Sequence, residues 1–411
     1  MPSCSRVAPT RSRSTTSSHT PTGNSDPEAV PAPEHARDWL SLVLVDGLGP
    51  KRFAALEERF ASPIDWHDAS DQALREAGLS GKYIEQLRRP DEDKLEHCLD
   101  WLSGDRRWLV TRDDPLYPPL LKRIPDAPIA LFVAGDANAL VTPQIAIVGS
   151  RNASSGGLRH ARSFAATLAR TGFTITSGLA EGVDGMAHAG CLDAGGATIA
   201  VAGTGLDQVY PARHRDLARR IAESGALVSQ FPPGIGPLKG NFPARNRIIS
   251  GMSLGVLVVE ASLKSGSLIT ARLANEQGRE VFAIPGSVHN PLSRGCHRLI
   301  RDGARLVETA DEVAGDLAPL ARELAEEIEH LLAPQPADVR VGLEESSKPP
   351  HMKDDPEYER LLEAVGFDPT PVDEIIERSQ LTPAAVSSML LMLELDGQVS
   401  AHAGGRYSRN A

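Results

Sequence analysis

Six short apolar runs, each ending in small residues, constrain the fold of this 411-residue chain more than any other feature. They are rich in β-branched residues and alternate with helical stretches; the runs are IAIVGS (145–150), TITSG (174–178), TIAVAGTG (198–205), ALVSQ (226–230), VLVVEA (256–261) and VFAIPG (281–286). Near-continuous apolar strands separated by helices are typical of a parallel sheet covered on both faces. We therefore predict a doubly wound α/β fold with a mainly parallel sheet, which binds ligands beyond the carboxyl ends of its strands.

The segments around these strands differ in composition and predict further domains. Residues 1–36 contain almost no large apolar side chains, so we expect a disordered polar tail. Residues 37–100 predict a small helical domain, in which the glycines of LVDGLGP either make a tight turn or offer N–H groups to a DNA phosphate. After the sheet domain (101–312), a helix and an acidic, proline-rich linker (313–354) lead to a predicted winged-helix domain (355–411).

Charge is divided unevenly along the chain, whose formal net charge is −11. Residues 140–310 hold 18 Lys and Arg against 11 Asp and Glu, a net of +7. Residues 311–411 hold 8 Lys and Arg against 21 Asp and Glu, a net of −13. A basic middle beside an acidic end favours a polyanionic ligand for the central domain.

Cysteine usage and hydropathy indicate the cellular compartment in which the protein works. The four cysteines (Cys4, Cys98, Cys191 and Cys296) lie far apart without a C-x-x-C pair, so we expect neither disulfides nor structural zinc. No apolar run reaches the roughly 18 residues of a membrane span, and no basic segment followed by an apolar core marks a secretory signal. We therefore expect a cytoplasmic protein that makes no membrane contact.

Glycine-bearing loops follow three of the predicted strands. The first, VGSRNASSGG, contains Gly149, Ser150 and Arg151; SGLAEGVDGMAH follows the second strand and AGTGLDQVYP the third. Their spacing differs from the dinucleotide fingerprint G-x-G-x-x-G. Such loops either make tight strand-to-helix turns or, where they meet, line a pocket with backbone N–H groups that suit phosphate.

The stretch KGNFPARNRIISG adds cations to this pocket. Because Pro243 disfavours helix for the residue before it, we expect a helix to begin near Arg245 or Asn246. Arg245 and Arg247 would then face a polyanion beside the free N–H groups of the helix. Guanidinium groups match phosphate oxygens bidentately, which favours a nucleic-acid backbone as that polyanion.

Phe242, just before these arginines, could stack on an unpaired base of a single strand. In the alternative, Phe242 fills the core and one of the two arginines pairs with Glu260 or Asp184. The next motif, EASLKSGSLITA, places Lys264 beside a loop, Ser265–Ser267, that either caps a helix or also meets phosphate.

Signatures of catalysis are scarce. The sequence has no G-x-S-x-G, no H-E-x-x-H and no Walker lysine, and Glu260 is the one plausible buried carboxylate base. We predict no catalytic residue, no metal site and no cofactor.

Six motifs follow one another between residues 108 and 311: VGSR, SGLAEGVDGMAH, GTGLDQVYP, FPARNRIISG, VVEASLKSGSLITARLANEQGREVFAIPG and GCHRLIRDGARLV. In this order they closely resemble the DNA processing protein A (DprA, also called Smf) family. The resemblance implies an extended Rossmann-like domain that binds and protects single-stranded DNA, usually as a dimer. It also implies a role in natural transformation of competent cells, in which RecA recombinase is loaded for recombination. An N-terminal sterile-alpha-motif-like or helix-hairpin-helix-like domain and a C-terminal winged helix fit the same family.

The resemblance implies that Arg151, Lys239, Phe242, Arg245 and Arg247 belong to the DNA pocket. With the neighbouring loop residues, the predicted DNA-binding set is Gly149, Ser150, Arg151, Ser177, Gly178, Lys239, Asn241, Phe242, Arg245, Asn246, Arg247, Lys264, Ser265, Gly266 and Ser267. The predicted partners are single-stranded DNA, RecA and a second copy of the chain, bound through the Rossmann-like domain.

An enzyme resembling the nucleotide phosphoribohydrolase group is the alternative, with Glu260 as acid and base and Arg247 on a phosphate. That group carries a P-G-G-x-G-T-x-x-E stretch, which is absent here, and the excess of arginines would have no role. We therefore expect a DNA-binding protein without catalysis. The winged-helix segment TPAAVSSMLLMLELDG has no Lys or Arg, so we expect it to serve protein contacts or regulation rather than DNA.

Overall fold

The computed structural model describes residues 33–60, 65–332, 356–382, 386, 389–390, 393, 398–402 and 406–409. The chain divides into two compact units, residues 1–333 and 334–411, and each is described by itself. Most of the predicted polar tail (1–36) and most of the predicted linker (313–354) lie outside the described residues.

Among the described residues, six short helices precede the sheet: α1 (Pro33–Val43), α2 (Pro50–Glu57), α3 (Asp65–Asp68), α4 (Asp71–Glu76), α5 (Gly81–Arg88) and α6 (Glu92–Leu102). Gly47 has a φ of +83° in the turn between α1 and α2, a conformation that favours glycine. Arg52, beside this turn, donates to the Gly47 carbonyl (3.3 Å) and lies 5.0 Å from the centre of the Tyr83 ring. The Arg52 guanidinium therefore contacts groups of the N-terminal helices themselves.

A nine-stranded sheet lies at the centre of the first unit. Its strands are β1 (Arg107–Thr111), β2 (Ala130–Gly135), β3 (Gln144–Val148), β4 (Thr174–Ser177), β5 (Thr198–Val201), β6 (Ala226–Ser229), β7 (Gly255–Val258), β8 (Glu280–Ala283) and β9 (Arg305–Leu306). Their order in space is β1-β2-β6-β5-β4-β3-β7-β8-β9. Strands β3 to β9 pair in parallel, whereas β1 and β2 form an antiparallel ribbon on β6. The predicted doubly wound, mainly parallel sheet is confirmed, and its six predicted strands are present.

Both faces of the sheet are buried, as the apolar strands predict. In β3, Ile145 and Ile147 join one apolar cluster, whereas Ala146 and Val148 join the other. Successive side chains of a strand point to opposite faces, so the apolar run Ile145–Val148 requires a cover on both faces. Strands β4, β5 and β6 lie in this order on one side of β3. The next strand along the chain, β7, lies on the other side of β3. The carboxyl ends of β3 and β7 therefore flank a topological switch point.

Helices cover these two faces: α7 (Pro119–Lys122), α8 (Ser155–Arg170), α9 (Val183–Asp193), α10 (Arg215–Ser224), α11 (Asn241–Met252), α12 (Ser267–Glu276), α13 (Arg294–Arg301) and α14 (Ala310–Leu332). Helix α8 begins where the Ser154 side chain accepts the N–H of Gly157 at 3.0 Å. None of the helices in the described part of the chain is long and apolar enough to span a membrane.

The N-terminal helices share an apolar cluster with β1 and β2. Leu109 of β1 and Phe132 of β2 pack among helical residues that include Trp39, Phe53 and Trp101. The rings of Trp101 and Phe132 lie 5.9 Å apart. This apolar cluster contains residues of both the N-terminal helices and the sheet. The domain boundary near residue 100 therefore stays a prediction.

The second unit contains α15 (Pro356–Val365), β10 (Thr370–Pro371), α16 (Val372–Ser379), β11 (Val399–His402) and β12 (Arg406–Arg409). Strand β12 pairs antiparallel with both β10 and β11. Between α16 and β11 the described helical residues Val386, Met389, Leu390 and Leu393 are buried at helical spacing. Helices followed by a hairpin agree with the predicted winged helix.

Candidate functional site

A cavity of about 760 Å³ opens at the switch point of the sheet. Five segments that each follow a strand supply its wall: 148–152 after β3, Ala180 and Asp184 after β4, Tyr210 after β5, 237–249 after β6 and 262–270 after β7. The glycine-bearing loops therefore meet at the carboxyl edge of the sheet, where doubly wound folds bind their ligands.

The loop after β4 is held close to the cavity by Asp184. Its carboxylate accepts the N–H groups of Gly178 (3.1 Å) and Ala180 (3.3 Å), and burial raises its pKa. The Arg245 guanidinium occupies the space where a side chain at position 178 would lie, since a Cβ on Gly178 would be 1.7 Å from Arg245 Nη1. The glycine thus allows an arginine to pass directly behind the loop.

Arg245 lines the cavity although only 4% of its surface is exposed. Its Nη1 donates to the carbonyl of Val201 at 2.9 Å, and its Nε is buried with no hydrogen-bond partner among the described residues. Burial lowers the pKa of Arg245 to about 10, against the opposing effect of Asp184, so the guanidinium stays charged at neutral pH. A buried cation with an unused donor beside a cavity is suited to an anionic ligand.

Arg247 does not line the cavity, although both arginines were predicted to face a polyanion. Its side chain is 13% exposed and its Nε lies 3.4 Å from Asp126 Oδ2. Its amino groups donate to the Asp126 carbonyl and to Gln230 Oε1. Arg247 therefore pairs with Asp126, whereas Asp184, one of the two carboxylates expected to meet an arginine, acts electrostatically on Arg245.

Helix α11 begins at Asn241, several residues before the predicted start near Arg245 or Asn246. Pro243 lies in the first turn, where its missing N–H would have had no intrahelical acceptor, so the helix tolerates it. The Asn241 amide group donates to the Gly203 carbonyl at 3.2 Å. The N-terminus of α11 is thus tied to the loop after β5.

The cavity wall is positively charged. Arg151 and Lys239 are exposed in it, and Arg245 lies behind them. Asp184 is the one carboxylate among the described wall residues. Three cations against one carboxylate suit a phosphate group. In the described part of the chain, no group of His, Cys, Asp and Glu side chains could hold a metal ion.

The loop before α12 adds hydroxyl and backbone N–H groups to this wall. The Oγ atoms of Ser265 and Ser267 lie 2.7 Å apart, and both residues line the cavity together with Gly266. Gly266 is the N-cap of α12, and the N–H groups of Ser267, Leu268 and Ile269 donate within this turn, to Ser265 Oγ (3.4 Å), the Ser265 carbonyl (3.2 Å) and the Gly266 carbonyl (3.0 Å). The partial positive charge at the N-terminus of the helix favours an anion at this wall.

Two aromatic rings lie together in the wall. The rings of Phe242 and Tyr210 are 5.5 Å apart and inclined at 47°. Phe242 packs on Gly203, where a Cβ would come within 3.0 Å of its ring, and the Cζ of Arg151 lies 5.6 Å from its centroid. Phe242 is thus partly covered, whereas Tyr210 is 48% exposed. The prediction missed Tyr210; its position at the end of the glycine-bearing loop AGTGLDQVYP was the available signal.

Ten of the fifteen predicted DNA-binding residues line the cavity: Gly149, Ser150, Arg151, Lys239, Phe242, Arg245, Asn246, Ser265, Gly266 and Ser267. The other five lie outside its described wall: Ser177, Gly178, Asn241, Arg247 and Lys264. Ser177 is buried and donates to the Ile147 carbonyl at 2.6 Å. Polar wall residues that the prediction missed are Asn152, Tyr210, Ser262 and Thr270.

Glu260 lies outside the cavity wall and is held by three hydrogen bonds. It accepts the N–H of Ser154 (2.8 Å), the Ser154 hydroxyl (2.6 Å) and the Asn290 amide (3.3 Å). Because α8 begins at the next residue, the carboxylate faces the positive end of that helix. These contacts make Glu260 a helix-capping group rather than an acid or base for a ligand in the cavity.

Two family models match the chain. The model described as DNA recombination-mediator protein A matches residues 108–318, and the DprA winged helix domain matches residues 345–405. The first of these stretches contains every segment of the cavity wall.

Similar proteins and structures agree with these models. Protein Smf from Escherichia coli (strain K12) is 44% identical over 334 residues, which cover 81% of this chain and 85% of that protein. DNA processing protein DprA from Streptococcus pneumoniae is 47% identical over 203 residues, 49% of this chain and 72% of that protein. The X-ray structure of DNA processing protein A from Streptococcus pneumoniae is similar with a TM-score of 0.60 and 36% identity, covering 68% of this chain and 97% of that one.

Proposed function

The chain belongs to the DNA recombination-mediator protein A family, also named DprA or Smf, and from this membership we propose that it binds single-stranded DNA in the cavity at the switch point. One observation carries the proposal: five strand ends bring three cations, two helix N-termini and two aromatic rings to one wall. The cations and helix N-termini suit the phosphate of a nucleotide, and the aromatic rings suit its base.

The cations and the positive ends of the two helices suit the phosphate. Arg151 and Lys239 are accessible to a strand, and the buried Arg245 adds its charge to the same wall. An anion that enters would exchange its hydration for charge-assisted hydrogen bonds, which are about twice as strong as neutral ones. The cavity has the size of ordinary ligand pockets, so it accommodates a short piece of a strand rather than a duplex.

The rings suit an unpaired base. Phe242 and Tyr210 lie beside Arg151, so a nucleotide whose phosphate meets Arg151 has an aromatic surface next to it. In a duplex each base is paired and stacked within the helix, and reaching a protein ring costs unstacking energy. We therefore expect single strands to bind more tightly than duplexes.

The family description, a recombination mediator, supports a further step. We propose that the bound strand is protected and passed to RecA recombinase in the cytoplasm, as in natural transformation of competent cells. No catalytic step is part of this function, because the candidate acid and base, Glu260, is occupied at the start of α8.

We also propose that two copies associate through the Rossmann-like domain. This proposal rests on the resemblance to the DprA/Smf family, which implies a dimer. The edge strand β9 has only two residues, one of them Arg305, so it is too short and too polar to pair with a second copy. A dimer would bring two cavities to one strand and raise the effective affinity.

A salt titration tests the proposal. We expect oligonucleotide affinity, measured by fluorescence anisotropy, to fall with a log–log slope of about −2, since three cations each displace counterions with a slope of about −0.7 per phosphate. Arg151→Ala should make the slope shallower by about 0.7. Arg219→Ala, which removes an exposed arginine of α10 outside the cavity, is the matched control and should leave the slope unchanged.

Two outcomes would contradict the proposal. Binding that does not respond to salt would rule out phosphate contact at the cavity. Equal affinity for a duplex and a single strand at the same salt concentration would rule out a role for unpaired bases.

A further inference from the structure

Tyr210 is an aromatic side chain of the cavity wall with a largely open ring. Its exposed fraction is 48%, which is high for a large apolar ring. Among the described residues with large exposed apolar side chains, it is the one aromatic residue that lines the cavity. The exposure of the Tyr210 ring and its position in the wall therefore need an explanation that the phosphate contacts do not give.

Phe242, the ring expected to stack on a base, is occupied by protein groups. It packs on Gly203, lies 5.6 Å from the Arg151 guanidinium and 5.5 Å from the Tyr210 ring. Much of its surface is therefore used within the protein. Phe242 acts as a support: an inclined ring at this distance is a favourable aromatic contact and restricts the position of Tyr210.

The cation and the two rings form one connected group. Arg151 contacts Phe242, Phe242 contacts Tyr210, and all three line the cavity. Arg151 can meet a phosphate while the open ring of Tyr210 remains available to the neighbouring base. Base stacking on an aromatic ring tolerates any base, because each has a π-face.

We propose that Tyr210 is the residue on which a base of the bound strand stacks, with Phe242 holding its ring in place. This inference rests on the proposed single-strand function and adds the residue that distinguishes a strand with bases from a bare phosphate backbone. The contact is non-covalent and adds no sequence preference beyond the strength of stacking.

The test compares two ligands that differ only in their bases. One is an oligothymidylate of about 16 nucleotides, and the other is an abasic strand of the same length and charge. Tyr210→Ala should weaken oligothymidylate binding by roughly five- to a hundredfold, the range that one stacked base supplies. Binding of the abasic strand should change less than about twofold, since the phosphate contacts are intact.

Three further variants distinguish the contribution of the Tyr210 ring from those of its hydroxyl group and of apolar contact in general. Tyr210→Phe keeps the ring and should bind both ligands like the parent protein, whereas Tyr210→Leu keeps an apolar side chain and should behave like Tyr210→Ala. Val288→Ala is the control, because Val288 is 70% exposed and does not line the cavity. It should leave both affinities unchanged.

The outcomes also separate this inference from the proposed function. If Arg151→Ala weakens both ligands while Tyr210→Ala weakens neither, or weakens both equally, the function stands and the stacking role is wrong. If Tyr210→Phe binds as poorly as Tyr210→Ala, the hydroxyl rather than the ring makes the contact. If the parent protein binds neither ligand, both the inference and the proposed function fail.

Discussion

Arg245 and Arg247 are two residues apart in one helix and have different surroundings. Successive residues of an α-helix are about 100° apart around its axis, so residues two apart lie on nearly opposite sides. Arg245 reaches the cavity, whereas Arg247 reaches Asp126 and Gln230. Once the helix extends through both positions, only one of the two arginines can face the ligand.

This difference leads to opposite expectations for two variants. Arg247→Ala should lower the free energy of unfolding by about 1–3 kcal/mol, because it removes hydrogen bonds of a largely buried cation. Its DNA affinity should stay within about twofold of the parent. Arg151→Ala, the exposed cation of the wall, should instead weaken binding by about ten- to a hundredfold without a change in stability.

Urea unfolding and fluorescence anisotropy on the same preparations measure both quantities. An Arg247→Ala protein that is as stable as the parent but binds DNA a hundredfold more weakly would restore the interpretation that both arginines contact phosphate.

The residues of the site were predictable to different degrees for physical reasons. Gly149, Arg151 and the Ser265–Ser267 loop follow strands, and strand ends of a parallel sheet meet at one edge, so sequence order alone brings them together. Tyr210 lies at the far end of its loop, where the path of the backbone decides which way a side chain faces. The glycine-bearing loop AGTGLDQVYP indicates that Tyr210 lies near the cavity, but its composition does not decide the direction of the side chain.

At the scale of elements, strands β3 to β8 follow from the sequence because most of their residues are buried and are apolar or β-branched. The position of β1 and β2 does not follow in this way. Their ribbon pairs with β6, which lies far along the chain; Phe132, for example, pairs with Ser229, 97 residues later. Pairing between remote segments depends on tertiary packing, which a local pattern does not encode.

A buried histidine ties α9 to the sheet. The Thr198 hydroxyl of β5 donates to the Ile175 carbonyl of β4 (2.5 Å), so it accepts from His188 Nδ1 at 2.7 Å. His188 Nε2 is buried with no hydrogen-bond partner among the described residues. Burial, with the positive fields of His214 and Arg245, lowers the pKa of His188 to about 3. The imidazole is therefore neutral in the folded protein at ordinary pH.

This histidine makes the folded protein sensitive to acid. Its pKa in the unfolded chain is about 6.5, so below that pH the unfolded chain binds a proton that the folded protein does not. His188 therefore lowers the free energy of unfolding as the pH falls from about 6.5 towards 3, by about 2 kcal/mol at pH 5. The stability of His188→Gln, which cannot titrate, should fall less between pH 7 and pH 5.

Urea unfolding of both proteins at the two pH values measures this difference. His160→Gln, which replaces an exposed histidine of α8, is the matched control and should lose as much stability as the parent. If the parent and His188→Gln lose equal stability, the histidine is not neutral in the folded protein.

At the scale of the whole molecule, the charge of the chain changes sign near residue 311. The basic residues include the cations of the cavity wall, whereas the acidic residues follow along α14 and beyond it. Fields of exposed charges fall off over about 8 Å at physiological ionic strength. A ligand in the cavity therefore responds to the charges of the wall, three cations and one carboxylate, rather than to the formal net charge of the whole chain.

Removal of the winged-helix unit tests where DNA is bound. A protein that lacks residues 355–411 should keep its single-strand affinity within a few-fold, because TPAAVSSMLLMLELDG has no Lys or Arg for a groove or a phosphate. Arg151→Ala should weaken binding by the same factor in the long and the short protein, since separate sites contribute additively. A hundredfold loss on truncation would show that this unit contacts DNA.

The apolar cluster between the N-terminal helices and the β1–β2 ribbon limits how the chain can be shortened from its other end. A protein that began at β1 would lose Trp101 and leave Phe132 and Leu109 uncovered on the outer ribbon of the sheet. Uncovered apolar residues on an edge ribbon promote aggregation. A fragment made for crystallisation should therefore retain α1 to α6. In evolution, a replacement for this helical part would have to bring apolar side chains of its own to the same two strands.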